Sequence, residues 1–261
     1  MQLTAVFFDL DDTLLWDDRS VDESFEATAH YASTRVNINP ADLVEAVKES
    51  ARALYATYEF YSFTQMIGIN PFEGLWGNFT GGDLPMFRKM QEIVPQYRTD
   101  AWTNGLKALG IEDSALGKEL GLMFAQERRS RPYYYEETLE VLKTLSTKYR
   151  LLMLTNGSPD LQNEKLTMSP EVAPFFEKIV ISGNFGQGKP AVELFQFALD
   201  QMGLHKDEVI MVGDKLTTDI QGSNNIGLKS VWINHHNKVR TDAEALPTFE
   251  IKRLKELLAI V

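Results

Sequence analysis

Residues 4–10 (TAVFFDL) form a short β-branched and aromatic run that breaks at the acidic turn Asp11-Asp12-Thr13, which predicts a buried strand with polar residues at its carboxyl end. After Trp16 the apolar period becomes helical. Ser20 with Glu23 three residues on resembles a capping box and predicts a helix start. Asn39-Pro40 places a cap and a first-turn proline before Leu43, Val44, Val47, Ala51, Leu54, Tyr55 and Tyr58. Their spacings of three and four mark one helix face. Residues 68–85 (GINPFEGLWGNFTGGDLP) hold five glycines among Phe72, Trp76 and Phe79, the texture of a structured loop or lid. A second helical region runs from about Met86 to Leu109, with an interruption expected at Pro95, and a third from Asp113 to about Arg129. Residues 16–131 therefore read as all-helical.

From residue 132 helices and strands alternate. A helix with Leu139, Leu142 and Leu145 leads to strand 150–155, then come a helix near 159–168, strand 178–182, helix 190–202 opening on Pro190, strand 208–212, helix 217–226 and strand 229–233. Residues 252–258 complete the series as a closing amphipathic helix with a solvated charged face. Apolar strands separated by amphipathic helices predict an α/β fold, a doubly wound parallel sheet covered on both faces. The strand at 4–10 has no partner within the helical stretch. The expected organisation is thus a Rossmann-like core of residues 1–15 and 132–261, interrupted by a helical cap at 16–131.

Composition narrows the chemistry. Hydrophobic residues are 44% and charged residues 24% of the 261, ordinary for a globular protein, so disorder is not expected. The formal net charge of −11 disfavours nucleic acid or anionic membrane as the main partner, although a local donor cluster can still capture one phosphate. Cysteine is absent, which excludes disulfides, thiolate metal sites and cysteine nucleophiles. The N-terminal stretch lacks the basic flank and apolar length of a signal peptide, and no apolar run reaches membrane-spanning length, so a cytoplasmic location is expected.

In doubly wound sheets ligands bind beyond the carboxyl ends of the strands at a topological switch point. Four strand ends here carry functional groups: Asp9 and Asp11 (FFDLDDTLL), Thr155-Asn156-Gly157 (LTNG), Lys189 (GKP), and Asp214 with Asp219 (VGDKLTTD). Taken singly, each reads equally well as a turn or cap. Together they converge several carboxylates and one ammonium on a single edge, a burial of like charge that calls for a cation. Magnesium suits such a set, since a hard divalent ion takes carboxylates, waters and a substrate phosphate. Asp9 and Asp214 can offer carboxylates to it and Asp11 a backbone carbonyl. Thr155 and the Asn156 and Gly157 amides can hold phosphoryl oxygens, and Lys189 can neutralise a phosphate or Asp9. That is equipment for phosphoryl transfer.

These segments, in this order, resemble the four motifs of the haloacid dehalogenase-like hydrolase superfamily: Asp-x-Asp-x-Thr, Ser/Thr, Lys and Gly-Asp-x-x-x-x-Asp. A helical insert after the first motif resembles the cap of its subfamily I members. The resemblance implies that Asp9 is the nucleophile forming an aspartyl-phosphate. It implies that Asp11 is the acid, then the base, of the two half-reactions. Thr155 and Lys189 would bind phosphate, and Asp214 would complete the magnesium shell with Asp219 beside it. Dehalogenases lack the second acid, so Asp11 favours a phosphomonoesterase, with a mutase as a minor alternative. The segment TNGSPDLQNEKL, with Gln162 and Lys165, resembles the branch holding nucleotidases, N-acylneuraminate-9-phosphatases and capped phosphoserine phosphatases of Bacillus-type bacteria. The whole-chain texture is most similar to the last, which implies O-phosphoserine as substrate. The expected partner is a small phosphorylated metabolite, and the chain a monomer or homodimer. A phosphoacceptor or binding module without turnover, like a receiver domain, is the reading of another class; receivers are about half this length and have no cap.

Other residues carry less. Tyr58, Phe60, Tyr61, Phe63, Phe72 and Trp76 can line a pocket but read better as the cap's own core. Arg128, Arg129 and Arg131 can hold a substrate carboxylate but read better as a solvated hinge. Trp16, Asp17 and Asp18 follow the first motif closely enough to border the site. His30, His205, His235 and His236 have no acids at metal-ligand spacing, and a loop role is expected for the His235-His236 pair.

Overall fold

The computed structural model describes residues 2–261. Six strands, β1 (Ala5–Phe8), β2 (Arg150–Thr155), β3 (Lys178–Ile181), β4 (Val209–Gly213), β5 (Lys229–Ile233) and β6 (Phe249–Ile251), form one parallel sheet in the order β3-β2-β1-β4-β5-β6. β1 lies in the middle, with Ala5 opposite both Arg150 and Val209. All four of its residues are fully buried, which explains why the run is apolar without alternation. Ala5 and Phe7 face a core of Leu152, Leu154, Phe195 and Met211, while Val6 and Phe8 face a second core of Leu142, Met153, Ile210 and Val231. Fully burying one such side chain stabilises the fold by roughly 1.5–3 kcal/mol. The chain fills the β2 and β3 side first and then crosses to β4, so the switch point lies between β1 and β4.

The chain forms two compact units. The sheet unit runs to Asp17 and resumes over Tyr133–Gly157 and Gln162–Val261; the helical unit is Asp18–Pro132 with Ser158–Leu161. Its main helices are Asp17–Arg35, Pro40–Tyr55, Pro85–Ala108 and Ser114–Arg129. Asn39 caps the second of these by accepting from the Ala41 N–H at 3.0 Å, and Asp113 caps the last by accepting from the Leu116 N–H at 2.8 Å. Among the described residues no helix is long and apolar enough to cross a membrane.

Several boundaries differ from expectation, each for a physical reason. The first helix starts at Asp17, and Ser20 lies inside it with its hydroxyl donating to the Arg131 carbonyl at 2.7 Å, so it caps nothing. Pro95 does not break the helix Pro85–Ala108, because it sits on the exposed face while Met90, Val94, Tyr97 and Arg98 bury the other. The glycine-rich stretch contains a one-turn helix, Pro71–Gly74, fixed by reciprocal capping between Asn70 and Glu73. The segment expected as one helix over 217–226 divides into a π-helical turn, Leu216–Ile220, and an α-helix, Gln221–Ile226. Helix 190–202 begins at Val192, after a cis Lys189-Pro190 bond. The closing helix is a 3-10 helix over Leu254–Ala259. β6 escapes sequence reading because it has three residues, two of them exposed.

Helix packing in the helical unit depends on small residues. A methyl group on Gly117 would stand 2.8 Å from Thr103 Cα and 2.9 Å from Thr103 N, that is, against the backbone of the neighbouring helix. An exposed helical glycine replaced by alanine gains roughly 1 kcal/mol. Here overlap with backbone outweighs that, at about 1–3 kcal/mol. Gly117→Ala is therefore expected to lower the thermal unfolding midpoint, and a raised midpoint would show that the two helices can separate without penalty.

Candidate active site

Asp9 continues the line of β1, its N–H donating to the Val212 carbonyl of β4 at 2.9 Å. Its carboxylate is buried and accepts from Lys189 Nζ at 2.5 Å. The same ammonium donates to the Leu154 carbonyl at 2.7 Å and forms an ion pair with Asp219 Oδ1 at 2.7 Å. Asp219 is fully buried. The wide π-helical turn carries it back over β4, where its Oδ2 accepts from the Lys215 N–H at 3.1 Å. A Cβ on Gly213 would overlap the Asp219 carboxyl, so the glycine before Asp214 is a steric requirement.

Asp11 lies beyond the end of β1, in a turn whose next residue, Asp12, has φ 58. Its side chain does not join the Lys189 cluster. Asp11 Oδ2 instead accepts from Lys165 Nζ at 2.9 Å and from Gln162 Nε2 at 3.0 Å. Gln162 Nε2 also donates to Thr155 Oγ1 at 2.7 Å, and Lys165 Nζ lies 3.9 Å from Asp17 Oδ1. Gln162 and Lys165 are one turn apart on the helix Pro159–Met168, so both point the same way.

The loop after β2 acts on the loop of Lys189. Asn156 Oδ1 accepts from the Lys189 N–H at 2.8 Å, and Asn156 Nδ2 donates to the Lys189 carbonyl at 3.0 Å. The Gly157 N–H, expected to meet a phosphoryl oxygen, donates to Ser182 Oγ at 2.9 Å. The Asn156 side chain thus sets the position of the lysine, and Ser182 sets that of the Gly157 peptide.

The charge balance is the second property of the site. Asp9, Asp214 and Asp219 each offer a carboxylate oxygen, and the three lie within 4.8 Å of one another. Asp219, expected beside a metal shell, belongs to this trio by distance. Burial raises the Asp9 carboxyl above its ordinary range, with Lys189 pulling it down and Asp219 adding to the rise. Burial pushes Asp214 up to about 8, with Lys215 opposing and Asp219 and Asp9 contributing. Burial works against the Lys189 charge, but Asp219 and Asp9 outweigh it and hold the ammonium above its usual range. Asp214 Oδ1 is buried with no hydrogen-bond partner among the described residues. An all-oxygen donor set with excess negative charge and a buried unpartnered carboxylate oxygen fits a hard cation.

Sequence reading missed the roles of Gln162, Lys165 and Ser182. The i, i+3 spacing of the first two was the available signal. Arg128 departs from the expectation of a solvated hinge. It is 1% exposed, hydrogen-bonds the Ser20 hydroxyl and stacks its guanidinium 4.8 Å from the Trp76 ring. Arg98 and Arg129 donate to the Gly77 and Trp76 carbonyls at 3.0 and 3.1 Å, so these arginines brace the glycine-rich segment from within the helical unit. Phe60 and Trp76 are fully buried there, and Tyr58, Tyr61, Phe63 and Phe72 partly so. Trp16 stacks on Tyr135 (5.2 Å), which stacks on His235 (3.8 Å). Burial pushes His235 down to about 4, with His236 adding to the shift, which leaves it neutral at physiological pH.

A family model of haloacid dehalogenase-like hydrolases matches residues 3–227. The chain is 31% identical over 258 residues to a phosphoserine phosphatase of Thermus thermophilus, covering 98% of each protein. It is 30% identical over 178 residues to the N-acylneuraminate-9-phosphatase of Mus musculus, 67% of this chain and 71% of that one. Among solved structures, the putative hydrolase YfnB of Bacillus subtilis bound to magnesium superposes with a TM-score of 0.65 at 22% identity, covering 100% of this chain and 99% of that one. A phosphatase from Thermococcus onnurineus gives 0.59 at 21%, covering 99% and 97%. The likeness to those structures concerns the fold, and the family follows from the sequence matches. The chain belongs to the haloacid dehalogenase-like hydrolase family and is one of its phosphatases.

Proposed function

We propose that the chain is a cytoplasmic, magnesium-dependent phosphomonoesterase that works through an aspartyl-phosphate and takes O-phosphoserine as substrate. The observation that carries the reading is the pairing of two differently held acids: Asp9 on Lys189, and Asp11 on Lys165 and Gln162. Asp9 attacks phosphorus as the substrate's ester P–O bond breaks. Asp11 gives its proton to the departing alkoxide, which leaves as an alcohol. Asp11 then takes a proton from water, whose oxygen attacks the phosphoryl group. The P–O bond to Asp9 breaks, and inorganic phosphate and the free carboxylate result. Thr155 Oγ1 accepts from Gln162 and donates to the Asn156 carbonyl at 3.4 Å, a long bond that a phosphoryl oxygen would replace, and Lys189 keeps Asp9 oriented. Asp9 and Asp214, with the Asp11 carbonyl and Asp219 beside them, are the residues that would hold magnesium. When bound, the ion supplies charge neutralisation between the nucleophile and the phosphate.

The substrate assignment is supported by the Thermus thermophilus phosphoserine phosphatase, whose match extends over cap and core alike. The alternatives are an N-acylneuraminate 9-phosphate and a nucleoside 5′-monophosphate, suggested by relatives that cover less of the chain, among them a pyrimidine 5′-nucleotidase of Streptococcus pneumoniae at 42%.

Phosphate release from these substrates, measured side by side under magnesium, is expected to favour O-phosphoserine in kcat/KM; a stronger preference for another of them would reassign the substrate. Asp9→Asn is expected to release no phosphate, and full activity in that variant would remove it as nucleophile. Asp11→Asn should lower turnover by about 10²–10⁴, the usual contribution of a positioned proton carrier. Magnesium binding should also carry the sign set by Asp214. With its carboxyl raised from 3.8 to about 8, the cation-free protein loses stability from this group as pH rises between those values, and the proton competes with the ion below about 8. The rise in unfolding temperature on adding magnesium is thus expected to be larger at about pH 8.5 than at about pH 6. A pH-independent rise would place the ion away from Asp214.

A further inference from the structure

We infer that Lys165 and Gln162 are positioning residues for the proton-transfer step, anchoring Asp11 through one carboxylate oxygen so that the other faces the reacting oxygen. The inference rests on the proposed phosphomonoesterase chemistry and concerns residues outside the four motifs.

The sheet does not fix Asp11 directly. β1 ends at Phe8, and Asp11 lies beyond it, bridging Leu15 outside the sheet, so its carboxylate takes its position from side-chain partners. Two are present and both are buried: Gln162 is 0% and Lys165 2% exposed. A lysine is almost never buried this deeply without a specific partner, since removing the ammonium from water costs several kcal/mol. Both donors converge on Asp11 Oδ2, at 3.0 and 2.9 Å. Asp11 Oδ1 is buried with no hydrogen-bond partner among the described residues. A carboxyl that gives and takes a proton needs this asymmetry, with one oxygen held and one left for the reacting group. Gln162 ties the arrangement to the phosphate side of the site, because the same amide nitrogen donates to Thr155 Oγ1 at 2.7 Å. A slip of the helix Pro159–Met168 would displace the proton carrier and the Thr155 hydroxyl together. Placement errors of this kind reduce rate steeply without removing any reacting group.

A structural role makes a different prediction. If Lys165 only offsets the charges of Asp11 and Asp17, its removal weakens the fold and lowers turnover on every substrate alike. If it positions the proton carrier, the loss depends on the leaving group. O-Phosphoserine expels an alkoxide that needs a proton, whereas p-nitrophenyl phosphate expels a phenolate that does not. The test compares kcat/KM, which reports formation of the aspartyl-phosphate, for both substrates in the full chain under magnesium. Lys165→Met and Gln162→Met are expected to lower the value for O-phosphoserine by about 10–10² and for p-nitrophenyl phosphate by less than about threefold. Lys165→Arg, which restores a charged donor, should recover part of the alkyl-specific loss. Equal losses on both substrates, or none on either, would overturn the inference. If Lys165→Met shows no cooperative unfolding transition, Gln162→Met decides by the same criterion, since it removes one neutral donor and leaves the ion pair in place. Wild-type protein inactive on every phosphomonoester would instead overturn the proposed function, and wild-type activity with Asp11→Asn losing both substrates equally would remove Asp11 as the acid.

Discussion

The buried ammonium of Lys189 is the contact on which the site depends. It donates to Asp9 and to the Leu154 carbonyl and pairs with the charge of Asp219, and so ties together the ends of β1 and β2 and the π-helical turn after β4. Breaking one side of a buried ion pair typically costs about 3–5 kcal/mol, because the remaining charge has no water to turn to. The structure protects this contact from both sides. Asn156 grips the Lys189 peptide with a donor and an acceptor, and the absence of a side chain at Gly213 lets Asp219 lie flat against β4. Lys189 neutralises one carboxylate of a group of three, which leaves negative charge that a bound cation would offset.

The sheet explains why these charges can be adjacent at all. A strand buried on both faces cannot hold a carboxylate within its length, so the first polar residue after Phe8 falls at the exit of the ladder. The β1–β4 pairing then places that residue beside the exit of β4, where Asp214 follows Gly213. The switch in strand order between β1 and β4 opens the crevice at that same edge. Asp9 and Asp214 are some two hundred residues apart in the chain and meet because the register of two central strands leaves them no other position.

What could be read from the sequence follows from this. Asp9, Asp11, Lys189, Asp214 and Asp219 stood out together, because any one of them reads equally well as a turn or cap but several carboxylates converging on one sheet edge call for a cation. The helical faces of 40–55 and 114–129 were equally legible, since their caps and periodicity agree. Gln162 and Lys165 were legible as a motif but not as contacts. A Gln and a Lys on a helix look like its solvent face, and nothing in their local sequence shows that this face turns inward onto Asp11. Arg128 misled in the same way, its guanidinium being buried against Trp76. Pro95 and Ser20 failed for the opposite reason. Each is a strong local signal, and in each case tertiary packing decided the backbone.

Two carboxylates two residues apart would ordinarily behave alike, yet phosphoryl transfer through an aspartyl-phosphate asks one to stay ionised as nucleophile and the other to carry a proton. Here each has its own lysine in its own setting. Burial raises both carboxyls, and each lysine opposes that rise at its own partner, Lys189 at Asp9 and Lys165 at Asp11. The settings differ in what surrounds the pair. At Asp9, Lys189 favours the ionised form while burial and Asp219 oppose it, and a cation held by Asp9, Asp214 and Asp219 would tip the balance towards the carboxylate. Asp11 lies outside that trio, its neighbours being Asp17, Gln162 and the hydroxyl of Thr155 through the Gln162 amide. Separate environments for neighbouring acids are the general means by which a site assigns different protonation roles to identical side chains. The helix Pro159–Met168 is therefore as important to the proposed chemistry as the two acids themselves, because its Gln162 and Lys165 hold the second carboxylate apart from the Asp9, Asp214 and Asp219 trio.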